Sequence, residues 1–182
     1  MKRNLMLKKL FYFRYWTAVV AALFFLGCMK GSSEYDHGIN AADKTFVSQA
    51  LHLHEIIASA SAIVPERSDS NELEIFAANA YSQHLQLFNE LDSVNNFIQL
   101  KAGVEVNRDH VELNNKLIPL TGRQFDSGYL YNMQYYLQKV VEIYYQQLTV
   151  GNNSSLKNFT SKKIEFLKAQ LQMVEMLYKK YQ

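Results

Sequence analysis

Residues 72–100 read ELEIFAANAYSQHLQLFNELDSVNNFIQL, a stretch that contains neither proline nor glycine. Its apolar residues recur every three or four positions, the spacing that places them on one face of an α-helix. A helix of this length spans about 43 Å and takes most of its stability from packing against partner helices. His84 lies at its centre on the apolar face, which makes it the first candidate for a functional side chain.

Composition and charge narrow the class of protein. The chain has 182 residues, of which 48% are hydrophobic and 20% charged, as expected for one packed domain. Its two prolines and seven glycines are too few for the turns of an all-β fold. Five of the 19 basic residues and none of the 17 acidic ones lie in residues 1–27. Without that segment, 14 basic residues oppose 17 acidic ones, a net charge of −3, which argues against nucleic acid as a partner.

Apolar stripes predict three more long helices, over residues 42–64, 121–150 and 156–182. The intervening residues 101–122 form a long connection with a short helix near 110–117. The predicted fold is therefore all-α, an antiparallel four-helix bundle with one long connection between helices two and three.

Short motifs predict how these helices begin and end. Pro65 ends the first helix, and Asp69 with Glu72 fits a capping box for the second. Thr121 is predicted to cap the third helix. Asp126 is expected in the first turn of that helix, where its charge meets the helix dipole.

Residues 1–27 have the form of a signal peptide. A basic segment precedes YWTAVVAALFFLG, an uncharged run that is shorter than the roughly 20 residues of a membrane-spanning helix. The sequence FLGC at residues 25–28 resembles the lipobox of bacterial lipoproteins. The resemblance implies cleavage before Cys28, the only cysteine, and lipidation of that residue. A secretory signal with a chance cysteine and a retained anchor are the alternatives.

The same resemblance implies a place in the cell. Met29, rather than an aspartate, follows the cysteine, which favours sorting to the outer membrane, with the domain facing the periplasm. Residues 28–41 are polar and form a flexible tether between the lipid and the bundle of residues 42–182. The expected partners are the membrane, through the N-terminal lipid, and a protein or small ligand of unknown identity.

Four motifs occur in an order that is similar to a known family: Asp43-x-x-Phe46, Glu55-Ile56, Phe76-Ala77 followed by His84, and Phe125-Asp126-x-x-Tyr129. They resemble the bacterial family called domain of unknown function 4142, which contains outer-membrane or periplasmic proteins with a ferritin-like four-helix fold. The resemblance implies a ferritin-like bundle over the whole mature domain and no settled activity.

The resemblance also implies polar side chains inside the bundle. Many members have a glutamate on the first helix and histidines on the second, third and fourth. Glu55 matches the glutamate and His84 the first histidine. Leu137 and Gln170 occupy the other two positions, and neither is a good metal ligand.

Two interpretations of His84 follow. The favoured one is a buried polar contact in which His84 hydrogen-bonds to Glu55 or Gln170. The other is a degenerate ferritin-like metal-binding or redox site centred on Glu55 and His84, with His54 in support. Di-iron bundles also use Glu-x-x-His pairs, and residues 42–182 contain none, so no cofactor is predicted and a metal ion is the less favoured reading. His52 is expected to be exposed, because it faces away from His54.

The predicted function is that of a lipid-anchored helical bundle of the bacterial cell envelope, a non-enzymatic structural or interaction module. No nucleophile constellation and no phosphate-binding loop stands out in the sequence. A third hypothesis is a ligand carrier with a tyrosine-lined cavity near Tyr136 and Tyr144. Exposed tyrosines such as Tyr131 and Tyr135 would instead mark a partner surface.

Overall fold

The computed structural model describes residues 38–103 and 109–182, which are helical with short connections and no strand. The elements are α1 (Ala41–Ala62), a 3-10 turn (Val64–Glu66), α2 (Asn71–Phe97), α3 (Asp109–Leu117), α4 (Gly122–Val150) and α5 (Ser154–Lys179). The four predicted long helices correspond to α1, α2, α4 and α5, and the predicted short helix corresponds to α3. The predicted signal peptide, Cys28 and residues 28–37 of the tether lie outside the described residues.

The long helices enclose one hydrophobic core. α1 packs closely against α2 and α4, and α4 packs closely against α5, whereas α2 and α5 make far fewer contacts with each other. The largest core side chains, Phe125, Tyr129 and Tyr144, are fully buried and come from α4. The seam between α2 and α5 is therefore the loosely closed side of the helix arrangement. Among the described residues, no helix is both long enough and apolar enough to cross a membrane.

α3 covers the outer face of α1. Leu113 and Leu117 of α3 are buried, and Asn114 Nδ2 donates a hydrogen bond to Ser59 Oγ at 2.8 Å. The prediction that His52 is exposed is wrong, because this helix leaves it only 6% exposed. Its Nε2 lies 3.5 Å from a carboxylate oxygen at the start of α3. The long connection thus contributes α3, a helix that packs on α1. The spacing of apolar residues within α1 does not reveal that this helix covers His52.

The helix caps differ in part from those predicted. The capping box of Asp69 and Glu72 is wrong, because the N-cap of α2 is Ser70, whose Oγ accepts a hydrogen bond from a backbone amide at 3.3 Å. Thr121 occupies the N-cap position of α4, but its side chain makes no capping hydrogen bond. Asn153 caps α5 through a backbone amide 3.1 Å from its Oδ1.

Candidate functional site

Hydrogen bonds join five polar side chains across the core, and we call this set the polar chain: Tyr144, His54, His84, Gln170 and Gln83. The Tyr144 hydroxyl lies 2.9 Å from His54 Nε2, and His54 Nδ1 lies 2.9 Å from His84 Nδ1. His84 Nε2 is 3.0 Å from Gln170 Oε1. Gln170 Nε2 then donates to Gln83 Oε1 at 2.7 Å. The polar chain therefore links all four long helices, from α4 through α1 and α2 to α5, and returns to α2 at Gln83.

The polar chain is buried for most of its length. Tyr144, His54 and His84 have no exposed surface, and Gln170 is 8% exposed. Only Gln83, at the other end, is half-buried. Within the described residues, no buried polar atom of the polar chain lacks a hydrogen-bond partner. These hydrogen bonds offset the free-energy cost of removing the side chains from water.

The contacts assign a position to each proton. Gln170 uses its amide N–H towards Gln83, so its Oε1 accepts and His84 carries its proton on Nε2. Nδ1 of His84 is then an acceptor, and the Nδ1–H of His54 donates to it. Nε2 of His54 accepts in turn from the hydroxyl of Tyr144. All four hydrogen bonds consequently run in one direction, from Tyr144 to Gln83.

Both histidines are neutral at pH 7. Burial lowers the pKa of His54 well below its ordinary value, and repulsion from His84 lowers it further. Burial lowers the pKa of His84 to about 4, although its hydrogen bond to Gln170 acts in the opposite direction. Burial also raises the pKa of the Tyr144 hydroxyl. The polar chain is therefore uncharged along its whole length.

The structure brings together three of the four side chains that the sequence proposed as a cluster, namely His54, His84 and Gln170. Of the two partners considered for His84, it selects Gln170. Glu55 is half-buried, and within the described residues it forms no hydrogen bond to any member of the polar chain. Tyr144 was not assigned to the cluster, because no local motif marks a contact with a residue 90 positions away.

These side chains do not fit a di-metal centre. In the parts of the chain that the structure describes, no group of three or more His, Cys, Asp or Glu side chains is placed to hold a metal ion. The two imidazoles turn their Nδ1 atoms towards each other and use their Nε2 atoms for Tyr144 and Gln170. Leu137, the position at which the resemblance implies a further histidine, is buried in the core. A metal ion needs several converging ligands with free lone pairs, and this arrangement does not supply them.

A second buried polar site lies at the start of α1, and we call it the Asp43 clamp. The Asp43 carboxylate is fully buried and accepts hydrogen bonds from Gln147 Nε2 at 2.7 Å and from the Asn40 amide at 2.8 Å. It also accepts from the backbone amides of Asn152 and Asn153, at 3.1 and 3.2 Å. Burial raises the pKa of Asp43, but these four hydrogen bonds outweigh it, so the net shift is downward and the carboxylate stays ionised.

Asp126 also differs from its prediction. It lies beyond the first turn of α4 and is 3% exposed, so the expected role at the helix dipole is wrong. Burial raises the pKa of Asp126, while a hydrogen bond to Ser68 lowers it and the nearby Asp69 raises it. Its contact with the turn before α2 points to a role in holding that turn.

An apolar groove of about 590 Å³ lies in the open seam between α2 and α5, and we call it the seam groove. Its large apolar wall residues that are exposed are Ile75, Met173 and Met176, at 57%, 49% and 60% exposure. Gln83 and Gln170 also line it, so the outer end of the polar chain opens into the seam groove. This groove lies on a different seam from the tyrosine-lined cavity hypothesised from the sequence. Tyr131 and Tyr135 are exposed.

The long helices and their neutral, hydrogen-bonded core place this protein among the helical-bundle proteins. The model of the family described as Domain of unknown function (DUF4142) matches residues 29–177. The chain belongs to this family, which confirms the resemblance found in its motifs. Searches of curated proteins and of solved structures find no match to the chain.

Proposed function

We propose that this protein is a lipid-anchored helical bundle of the bacterial cell envelope that acts as a non-enzymatic interaction module. The observation that supports this role is the state of the titratable groups inside the bundle. His54, His84 and Tyr144 are fully buried and hydrogen-bonded to one another. A general acid or base must reach the proton that it transfers in the substrate, and none of these three groups has access to one.

The finer architecture that we propose is an antiparallel, ferritin-like four-helix bundle. Contacts between α1 and α4 support it, because residue numbers rise along α1 as they fall along α4, in the pairs Asp43–Gln147, His54–Tyr144 and Ser61–Tyr129. The same order relates α2 to α5, in the pairs Glu72–Lys180, Gln83–Gln170 and Glu90–Lys163. Two short links and one long connection are the topology of ferritin-like bundles.

Lipid anchoring rests on the lipobox resemblance at Cys28. A Cys28→Ser chain should leave the membrane fraction, because it loses the side chain that carries the lipid. A Ser33→Ala chain, altered in the same tether, should remain with the outer membrane after density-gradient separation. If the Cys28→Ser chain sediments with the membrane unchanged, the anchoring proposal fails.

The non-enzymatic role is tested separately by metal analysis of protein purified without chelator. We expect no stoichiometric iron, zinc or manganese, because the imidazole nitrogens are already hydrogen-bonded. Stoichiometric metal that disappears in a His84→Ala chain would establish instead a degenerate ferritin-like metal or redox protein centred on Glu55 and His84.

A further inference from the structure

We propose that the seam groove binds the acyl chain of an uncharged lipid, whose carbonyl oxygen accepts hydrogen bonds from Gln83 and Gln170. This inference deepens the proposed interaction role by naming a ligand class, and it does not depend on the anchor at Cys28.

The loosely closed seam provides the space. α2 and α5 approach each other less closely than the other neighbouring long helices do. Two ion pairs bridge the gap: Glu72 with Lys180 and Glu90 with Lys163, each at 2.6 Å. The seam groove extends from the first of these pairs towards the second. The charged residues that line the seam groove are Glu72 and Lys180, which lie at one end of it and form an ion pair with each other.

The walls are suited to a hydrocarbon chain. Ile75, Met173 and Met176 expose about half or more of their surface to solvent, and Phe76 and Leu177 lie buried beside them. Covering such apolar surface is favourable by about 25 cal/mol per Å². Methionine side chains are unbranched and flexible, so they adapt to ligands of variable shape.

The floor supplies hydrogen-bond donors without charge. Gln83 uses its Oε1 to accept from Gln170, and within the described residues its Nε2 makes no hydrogen bond. Gln170 donates one of its two amide hydrogens to Gln83 and retains the other. Gln170 is only 8% exposed, which fixes its position beneath the groove. A carbonyl oxygen of the ligand complements these donors, whereas an ionised head group would find no free cation among the groove residues.

The dimensions favour a lipid over a protein partner. A volume of about 590 Å³ falls within the range of small-molecule sites, roughly 300–1,000 Å³. Twelve residues line the seam groove, compared with the roughly 20–30 residues on each side of a stable protein interface. Between Glu72 and Gln83 it follows α2 for about 17 Å, so an extended chain fits it lengthwise.

The ligand is a separate lipid rather than the protein's own anchor. The chain leads into α1 at the opposite end of the bundle, where Asn40 Nδ2 donates to the carbonyl of Val150 at 2.9 Å. The seam groove lies beside the start of α2 and the end of α5. α1 has 22 residues and is therefore about 33 Å long. The start of α1 and the seam groove therefore lie towards opposite ends of the bundle.

Photolabelling of the full chain tests this site. The probe is a monoacylglycerol with a diazirine on its acyl chain, and labelled residues are mapped by mass spectrometry. We expect labels on Ile75, Met173 and Met176. Met176→Lys should reduce labelling at least about tenfold, because a charge in the apolar groove opposes binding. Val111→Lys, at a 44% exposed apolar residue of α3, should change it less than about twofold.

Equal labelling of these two variants, or labels scattered over the surface, would overturn the proposal. Circular dichroism checks that Met176→Lys is folded, and the milder Met173→Gln replaces it otherwise. The experiment is repeated in the Cys28→Ser chain, where we expect the same labels even if the anchoring proposal fails. Labelling that rises several-fold there would show that the protein's own anchor fills the groove in the lipidated chain, and would contradict the inference.

Competition tests the ligand class. Unlabelled monoacylglycerol should displace the probe better than an alkane of equal length, and Gln83→Leu should remove that preference. An alkane that competes equally with the unaltered chain, or a fatty acid carboxylate that competes best, would overturn the assigned carbonyl contact. A dimer seen by sedimentation and dissociated by Met176→Lys would assign the groove to a second copy of the chain instead.

Discussion

The polar chain and the Asp43 clamp are both buried, yet one is neutral and the other ionised. In the polar chain, imidazole, amide and hydroxyl groups exchange hydrogen bonds in the middle of the core. In the Asp43 clamp, one carboxylate accepts four hydrogen bonds at the end of the bundle, three of them from backbone amides. The difference follows from the hydrogen-bond donors that are available in the middle and at the end of the bundle.

Backbone amides in the middle of a helix are used within the helix, whereas the first amides of each helix lack such partners. The end of the bundle can therefore stabilise a negative charge with backbone N–H groups, as helix N-termini do for anions. The middle offers only side chains, so its buried polar groups remain neutral and depend on an unbroken sequence of hydrogen bonds.

The largest expected effect on stability comes from a substitution in the Asp43 clamp. Asp43→Ala removes the acceptor of four N–H groups, and we expect the free energy of unfolding to fall by about 3–5 kcal/mol. Urea denaturation measures this loss. Asp43→Asn keeps one carbonyl oxygen and should lose less than Asp43→Ala. A loss below about 1 kcal/mol in Asp43→Ala would show that the clamp is not a main support of the bundle end.

The pH dependence of stability should separate the two sites. Because the pKa of His84 falls from 6.5 in the unfolded chain to about 4, the unfolded state takes up a proton first. Stability is therefore complete above pH 6.5 and decreases by roughly 3 kcal/mol as the pH falls to 4. The lowered pKa of His54 acts in the same direction. The lowered pKa of Asp43 gives a further loss only below about pH 3.8.

Two variants test this separation in urea unfolding between pH 3 and 8. His84→Leu should reduce the loss between pH 6.5 and 4, with the remainder contributed by His54, and leave the loss that Asp43 contributes at lower pH in place. Asp43→Asn should do the reverse. If both variants alter the same pH range, the two sites are not electrostatically distinct.

A smaller effect distinguishes two buried tyrosines. Tyr144→Phe leaves His54 Nε2 without its donor, and we expect a loss of about 1–2 kcal/mol. Tyr129→Phe is the matched control, because its partner Ser61 keeps a second hydrogen bond, from Oγ to the carbonyl of Ile57 at 2.7 Å. The control should lose about 0.5–1 kcal/mol in the same measurement. Equal losses in the two variants would mean that the Tyr144 hydroxyl stabilises the polar chain no more than the Tyr129 hydroxyl stabilises its single contact with Ser61.

The sequence predicted the helices well, because apolar periodicity determines which face of each helix is buried. It also predicted that His84 is a buried contact with Gln170 as one of two partners, since both lie on apolar stripes. It did not predict the burial of His52, because the helix that covers it comes from the irregular connection before α4.

The remaining parts of the site depend on contacts between distant residues. Asp43 appears in the sequence as part of a motif, but its role requires Gln147 and Asn153, more than 100 positions away. Glu55 was proposed as a partner of His84 from its place in the family pattern. In the structure Glu55 is half-buried, and among the described residues it forms no hydrogen bond to His84, which pairs with Gln170 instead. The family pattern alone therefore did not determine the partner of His84.

The most direct test of the neutral polar chain is ¹⁵N NMR of the histidine rings in the full chain, recorded from pH 7 to 5. We expect His54 to carry its proton on Nδ1 and His84 on Nε2, with neither ring titrating in this range. If the ring of His54 or His84 becomes charged near pH 6.5, or if either one carries its proton on the other nitrogen, the arrangement of the polar chain described above is contradicted.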